Sequence, residues 1–384
     1  MSAYTTGEYR NIFLELGYDE KEIQDKLEAM YNTMFHGADD ERIYFEAGED
    51  MGYMTDTGNN DARTEGMSYG MMMSVQLDKK DEFDRIWKWA RTYMYLNEGR
   101  NKGYFCWSNN LDGSKRAGGA APDGEEFFIM ALLFASKRWG DGEGIFNYSK
   151  EAIAIMNQAV HSNNPMWDPA TKYIKFICEC DWTDPSYHLP HFYEMYGEIS
   201  GVDTELWKET AKASREFLKK ACHPKTGMSA EYTEYDGTPN RRDFIAKNFG
   251  SRHDWFYSDS YRTIANIGLD YSWFEADDWE IEIAKKMRDF YADKCEIVDG
   301  EPTFKIYEID GTELDENVLH PYGLIATNAM SALATKKGEM DENAIKAVKQ
   351  FWELPLRKGG RRYYDNCLQL FAMMALSGNY RMYK

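Results

Sequence analysis

The sequence predicts an all-α toroid, with an inner ring of helices wrapped by an outer ring. Two observations carry this. Helical segments of two kinds take turns along the chain, and one kind has no polar face. A helix that is apolar nearly all round must be covered on every side, whereas an amphipathic helix buries one stripe, so strict alternation of about twelve such segments implies two concentric layers. No repeat at a solenoid period supports the competing solenoid. Runs of β character are short, as at residues 173–177, and are expected only in loops.

The covering helices are charged and amphipathic. Residues 19–35 place Ile23, Leu27, Met30, Tyr31 and Met34 on one face, with Asp19 as the expected cap. Residues 81–95 do the same with Phe83, Ile86, Trp87, Ala90 and Tyr93, and similar patterns run over 148–161, 204–220, 278–294 and 342–353. The covered helices at 66–77, 127–136, 321–335 and 367–377 carry no charge, and 186–199 and 260–269 are nearly as bare. No low-complexity or Pro/Gly/Ser linker divides the chain, so residues 1–384 are expected to form one domain.

Composition narrows the function classes. The 384 residues are 43% hydrophobic and 15% aromatic, with 27 Tyr, 20 Phe and 11 Trp, more rings than a core alone needs. Such an excess suits a surface that stacks on ring-shaped ligands. A formal net charge of −20 argues against nucleic acid and anionic lipid, which want a basic surface. No apolar run approaches the ~20 residues of a membrane span. The first residues show neither a basic nor an apolar signal region, and the six cysteines form no framework pattern. The expectation is a cytoplasmic protein with reduced thiols. Cys178-Glu179-Cys180 alone is a weak metal signal, as is the pair His188 and His191.

Each covered helix begins beside conspicuous polar or aromatic residues. Glu65 heads the uncharged run from Gly66 to Met73, and Asp123-Gly124-Glu125-Glu126 heads the second. The third carries Asp184-Pro185-Ser186-Tyr187-His188 and then Tyr193, and the fourth follows Asp254-Trp255-Phe256-Tyr257-Ser258-Asp259. Leu319-His320-Pro321 leads the fifth, and Arg361-Arg362-Tyr363-Tyr364-Asp365-Asn366 the sixth. In a toroid the inner helices run the same way, so these starts converge on one face. Capping would account for several of the acids, and Asp259 could pair with Arg262 three residues on. The rings beside them favour a ligand-binding groove. Two carboxylates across such a groove are the minimum for cleaving a glycosidic bond: one protonates the leaving oxygen, and the other activates water or attacks the sugar. There is no P-loop, dinucleotide fingerprint, H-E-x-x-H or nucleophile elbow.

The run Arg63–Met73, with Ala121-Pro122-Asp123-Gly124-Glu125, Asp184-Pro185-Ser186-Tyr187 and Ser258-Asp259-Ser260-Tyr261-Arg262, resembles glycoside hydrolase family 8 from about Tyr9 onward. The resemblance implies an (α/α)6 barrel and an inverting β-glycanase. It looks closest to the intracellular exo-oligoxylanases that release xylose from the reducing end. It implies Glu65 as general acid and Asp259 as general base. Asp123 would bind and distort the sugar at the cleavage point, and Trp107 would stack beside the scissile bond. Tyr193 would help hold the attacking water, Arg262 would orient the base, and Tyr363 and Tyr364 would contribute to the substrate rim. Leu319-His320-Pro321 resembles the kinked loop that closes the cleft, placing His320 at the leaving sugar. The sequence departs from the broad family at Pro122 and Glu125, which weakens any transfer of endoglucanase or chitosanase specificity.

The resulting expectation is a monomeric, cofactor-free and metal-free hydrolase of short β-1,4-xylo-oligosaccharides. The alternative within the family is an endo-acting xylanase or β-glucanase. Sugar isomerisation would need histidine bases at the helix mouths, where no matching pair stands. A non-catalytic sugar-binding protein would leave the charged pair without a purpose.

Overall fold

The computed structural model describes residues 2–249 and 253–384. Six helices run through the core: Thr64–Gln76, Pro122–Trp139, Pro190–Ser200, Tyr261–Phe274, Pro321–Met330 and Arg362–Leu376. Six others alternate with them along the chain and cover them: Glu20–His36, Lys80–Trp89, Tyr148–His161, Thr204–Ala221, Asp278–Tyr291 and Glu342–Glu353. This is an (α/α)6 barrel. The difference in patterning becomes a difference in burial. Every residue of Arg362–Leu376 is buried, whereas Glu20–His36 buries Ile23, Leu27, Met30, Tyr31, Met34 and Phe35. Asp19 caps that outer helix by accepting from Glu22 N.

Inner helices that pack this closely need small residues at their contacts. A Cβ on Gly124 would lie 2.4 Å from Thr64 Cβ, and one on Gly66 would lie 2.6 Å from the Tyr363 hydroxyl. Glycine at these two positions lets neighbouring helix starts meet at the barrel mouth. The two rings are also tied by an ion pair with a buried carboxylate. Arg215 of an outer helix makes a bidentate pair with Asp270 of an inner one, both contacts at 2.8 Å, the geometry that makes such pairs strong.

The opposite end of the barrel is sealed by the C-terminal tail. Gln76 and Arg381 exchange two hydrogen bonds, at 2.9 and 2.8 Å. Trp273 Nε1 donates to Tyr380 O at 3.2 Å, and the buried Tyr380 stacks on Phe371.

Several boundaries differ from the sequence expectation. Residues 173–177 form one isolated bridge, Trp167 to Ile174, rather than a strand. The segment 186–199 is broken into a 3-10 turn, Pro185–Tyr187, and a helix that starts at Pro190. Proline disfavours the helical conformation in the residue before it, and Leu189 is accordingly non-helical. The fifth inner helix ends at Met330 and passes into a 3-10 turn, Ser331–Leu333. The strands are short and lie in connections. The largest group pairs Trp255–Phe256, Lys305–Glu308 and Glu313–Asn317.

Candidate active site

All six inner helix starts contribute to one cavity of about 560 Å³. Thr64 and Glu65, Asp123, Tyr187, Ser258 and Asp259, Leu319 and His320, and Tyr363 and Tyr364 line it, with Trp107 at its edge. The convergence follows from helix polarity: each inner helix points its positive end at this mouth, which favours carboxylates there.

Glu65 sits in the first turn of Thr64–Gln76 but does not cap it. Its Oε2 accepts from Arg262 Nη1 at 2.7 Å, and its Oε1 accepts from the Tyr363 hydroxyl at 2.8 Å. Burial raises its pKa, with the Asp259 charge adding to the rise. Arg262, the Tyr363 hydrogen bond and Arg63 oppose it.

Arg262 organises the floor of the site. Its Nη2 lies 3.3 Å from Asp259 Oδ2 and 3.9 Å from Asp184, and its Nη1 lies 3.7 Å from Asp123 and donates to Tyr69 at 3.0 Å. The expected pairing of Asp259 with Arg262 is thus real, but it is a buried contact rather than a surface one. Burial pulls the guanidinium's pKa down, and Asp259, Tyr69, Tyr364 and Glu65 outweigh that and hold it well above its ordinary value. The guanidinium lies 5.6 Å from the Tyr187 ring centroid and 5.9 Å from that of Tyr364.

Asp123, Asp184 and Glu126 crowd this floor with fewer charges to balance them, and Glu125 lies behind them in the core. Burial and the nearby Glu65 push Asp123 up to about 7. Its Oδ1 is buried without a hydrogen-bond partner among the described residues. Burial raises Glu126 and Asp184 well above the carboxylate range. Glu125 is pushed up to about 8 by burial and accepts from Phe105 N at 2.9 Å, away from the cavity. The family departure at Glu125 therefore concerns the core and not the cleft wall.

Trp107 is 37% exposed and is presented by a two-residue ladder, Ala62–Arg63 with Ser108–Asn109. Its carbonyl accepts from Thr64 N at 3.0 Å, which ties the ring to the start of the Glu65 helix. Arg63 lies 5.3 Å from the ring centroid, within cation–π range. On the other side, Asp365 anchors the Leu319–His320 corner. It meets His320 Nδ1 at 3.0 Å, accepts from Gly323 N at 2.6 Å and accepts from Arg357, which also donates to Leu319 O.

The turn bearing Asp259 is strained. Ser258 adopts φ 39°, a left-handed conformation that costs a non-glycine residue about 1–3 kcal/mol. The Tyr364 hydroxyl donates to Ser258 O at 3.1 Å, so this tyrosine holds backbone with its oxygen while its ring lines the cleft.

One expected site residue is displaced. Tyr193 is fully buried and does not line the cavity; its hydroxyl donates to Glu126 Oε1 at 2.5 Å and to Tyr187 O at 3.0 Å. The break at Leu189-Pro190 starts a new helix below the rim, so position 193 points into the core. Tyr187, in the 3-10 turn above it, faces the cavity instead. Its place two residues after Asp184-Pro185 was the sequence signal. Among the described residues, no group of three or more His, Cys, Asp or Glu is arranged to hold a metal. His188 and His191 are buried, and burial lowers them to about 3 and 4.

Comparison with known proteins decides the family. The model of glycosyl hydrolases family 8 matches residues 49–378. The chain belongs to glycosyl hydrolase family 8. Within family 8 it is 50% identical to the reducing-end xylose-releasing exo-oligoxylanase Rex8A of Paenibacillus barcinonensis, over 99% of this chain and 98% of that one. It is 51% identical to the corresponding exo-oligoxylanase of Halalkalibacterium halodurans, over 99% and 96%. Endoglucanase 2 of Ruminiclostridium josui, by contrast, is 26% identical over 84% of this chain. Among solved structures, Rex8A complexed with xylose superposes with a TM-score of 0.95, at 49% identity and 100% coverage of both chains. Among the described residues of this family 8 chain, no helix is long and apolar enough to cross a membrane.

Proposed function

We propose that this chain is an inverting glycoside hydrolase that releases xylose from the reducing end of short β-1,4-xylo-oligosaccharides. The observation that carries the reading is the pair Glu65 and Asp259, held on opposite nitrogens of Arg262 across one cleft. One planar guanidinium touching both carboxylates keeps them within the ~9.5 Å upper limit of the inverting arrangement. Glu65, its pKa raised by burial, protonates the leaving oxygen. Asp259, the more exposed of the two at 29% against 14% for the side chains, takes the proton from water on the opposite face. Asp123 lines the cavity beside the acid and meets a sugar hydroxyl there, and Trp107 supplies the stacking face. Tyr187 takes the place beside the attacking water that the family resemblance implied for Tyr193. Tyr363 steadies the acid. Tyr364 lends its ring to the sugar rim, and the anchored His320 corner bounds the leaving-sugar end.

The near-full-length identity to exo-oligoxylanases, set against 26% to an endoglucanase, favours the exo reading over an endo-acting one. Residues 1–384 would act as one catalytic domain, as a cytoplasmic monomer without cofactor. Cell fractionation tests the location, and sedimentation tests the monomeric state.

The test is incubation with xylotriose, followed by NMR. The expected products are xylose and xylobiose, with the new hemiacetal of xylobiose formed first as the α-anomer. Xylotriose reduced to its alditol should resist cleavage. A β-anomer formed first, or internal cleavage of polymer without free xylose, would overturn the proposal. Near-normal turnover in both Glu65→Gln and Asp259→Asn would overturn the residue roles, since such groups contribute about 10²–10⁴-fold each.

A further inference from the structure

The turn that carries Asp259 is held from below by a residue outside every helix. Glu231 precedes Asp259 by 28 positions and is 4% exposed. Its backbone N donates to Trp255 O at 2.9 Å, and Tyr232 N donates to His253 O at 2.8 Å. These two bonds bring the 231–232 segment alongside 253–255 and set the Glu231 carboxyl beneath Ser258–Ser260. Its Oε1 accepts from Asp259 N at 3.3 Å, and its Oε2 forms a close hydrogen bond with His253 Nδ1. The His253 ring stacks on Tyr232, with centroids 4.2 Å apart and planes at 14°.

A buried carboxyl is costly unless it is hydrogen-bonded, and both oxygens of this one are engaged. The chemistry described above uses neither Glu231 nor His253. Their contact point matters because Ser258 is in a left-handed conformation. A strained turn persists only when its surroundings over-determine it. Here Tyr364 grips Ser258 O, and Glu231 grips the adjoining Asp259 N. Releasing either grip lets the turn relax and swings the Asp259 side chain away from Arg262.

We infer that Glu231, fixed by His253, is a positioning residue that holds the backbone of Asp259 in the orientation needed to activate water. The inference rests on Asp259 acting as the base. Glu231 touches no reacting atom and does not itself line the cavity, although its neighbour Tyr232 does, so its effect falls on turnover.

The experiment is steady-state hydrolysis of xylotriose by Glu231→Ala, Glu231→Gln, His253→Phe and Asp259→Asn, with xylobiose binding measured by calorimetry. Glu231→Ala should lower kcat about 10²-fold, the scale of a small misplacement of a reacting group, with KM and xylobiose affinity little changed. Glu231→Gln should restore most of kcat, because its amide oxygen still accepts from Asp259 N. His253→Phe keeps the stacked ring, loses the hydrogen bond and should lower kcat about tenfold. The inference is overturned by Glu231→Ala with full kcat, by Glu231→Gln as impaired as Glu231→Ala, or by loss that appears in KM instead of kcat. Should Glu231→Ala fail to fold, His253→Phe decides, and full kcat there overturns the inference. An active Asp259→Asn sinks the assignment of the base itself. An inactive Asp259→Asn beside a fully active Glu231→Ala sinks only the positioning role.

Discussion

Tyr363 donates its hydroxyl to Oε1 of Glu65 at 2.8 Å, across a contact that only a glycine at position 66 permits. This hydrogen bond favours the charged form of Glu65 and lowers a pKa that burial has raised. Tyr363→Phe removes the donor, so the proton should be held to higher pH. The alkaline limb of kcat/KM against pH should move upward, because the acid must be protonated to work. An unmoved or downward limb would contradict this.

Gly66→Ala should break the same relationship by a different route. The added Cβ collides with the Tyr363 ring and hydroxyl, which must move away from Glu65. Overpacking of this kind costs about 1–3 kcal/mol. Thermal unfolding should show that loss, and the alkaline limb should shift in the same direction as in Tyr363→Phe.

Arg262 neutralises a floor on which Glu65, Asp259, Asp123 and Asp184 meet. Removing one partner of a buried charge network leaves the others uncompensated, at a cost of about 3–5 kcal/mol. Arg262→Met should therefore be both inactive and strongly destabilised. Arg262→Lys keeps the charge but cannot reach Glu65 and Asp259 together, since a single ammonium lacks the planar fork. It should retain more stability than Arg262→Met while remaining inactive, as denaturant unfolding and xylotriose assays would show.

Glu125 couples stability to pH. Its folded pKa is raised to about 8 by burial, so the folded state holds the proton more tightly than the unfolded one. That contribution is fully present below the unfolded carboxyl value and is lost as pH rises through about 8. Glu125→Gln still accepts from Phe105 N and never ionises. It should raise Tm at pH 8 more than at pH 5, and equal shifts at both pH values would argue against the account.

Much of this was legible in the sequence because charge is expensive inside a double ring. The uncharged runs at 66–77 and 367–377 can exist only where every face is covered, and they mark inner helices with little ambiguity. Glu65, Asp123, Asp259 and His320 could be located because they head such runs. Tyr193 could not, because periodicity over 186–199 reads as one helix and hides the restart at Pro190. Glu231 was out of reach for another reason: it lies in a loop without periodicity, and only the folded path of 253–255 brings it under Asp259. The four-way role of Arg262 was hidden likewise, since spacing reveals its partner three residues away and not those on other helices.

The buried floor of Arg262, Tyr69 and Asp123, with the tail tied across the far end of the barrel through Tyr380 on Phe371 and Arg381 on Gln76, leaves the site open on the helix-start face. Traffic then has one face. The oligosaccharide must enter, and both fragments must depart, across the same rim that Trp107 and His320 bound. A departing xylose and an arriving chain share that doorway, so the order in which products leave depends on the barrel's closed floor as much as on its acids.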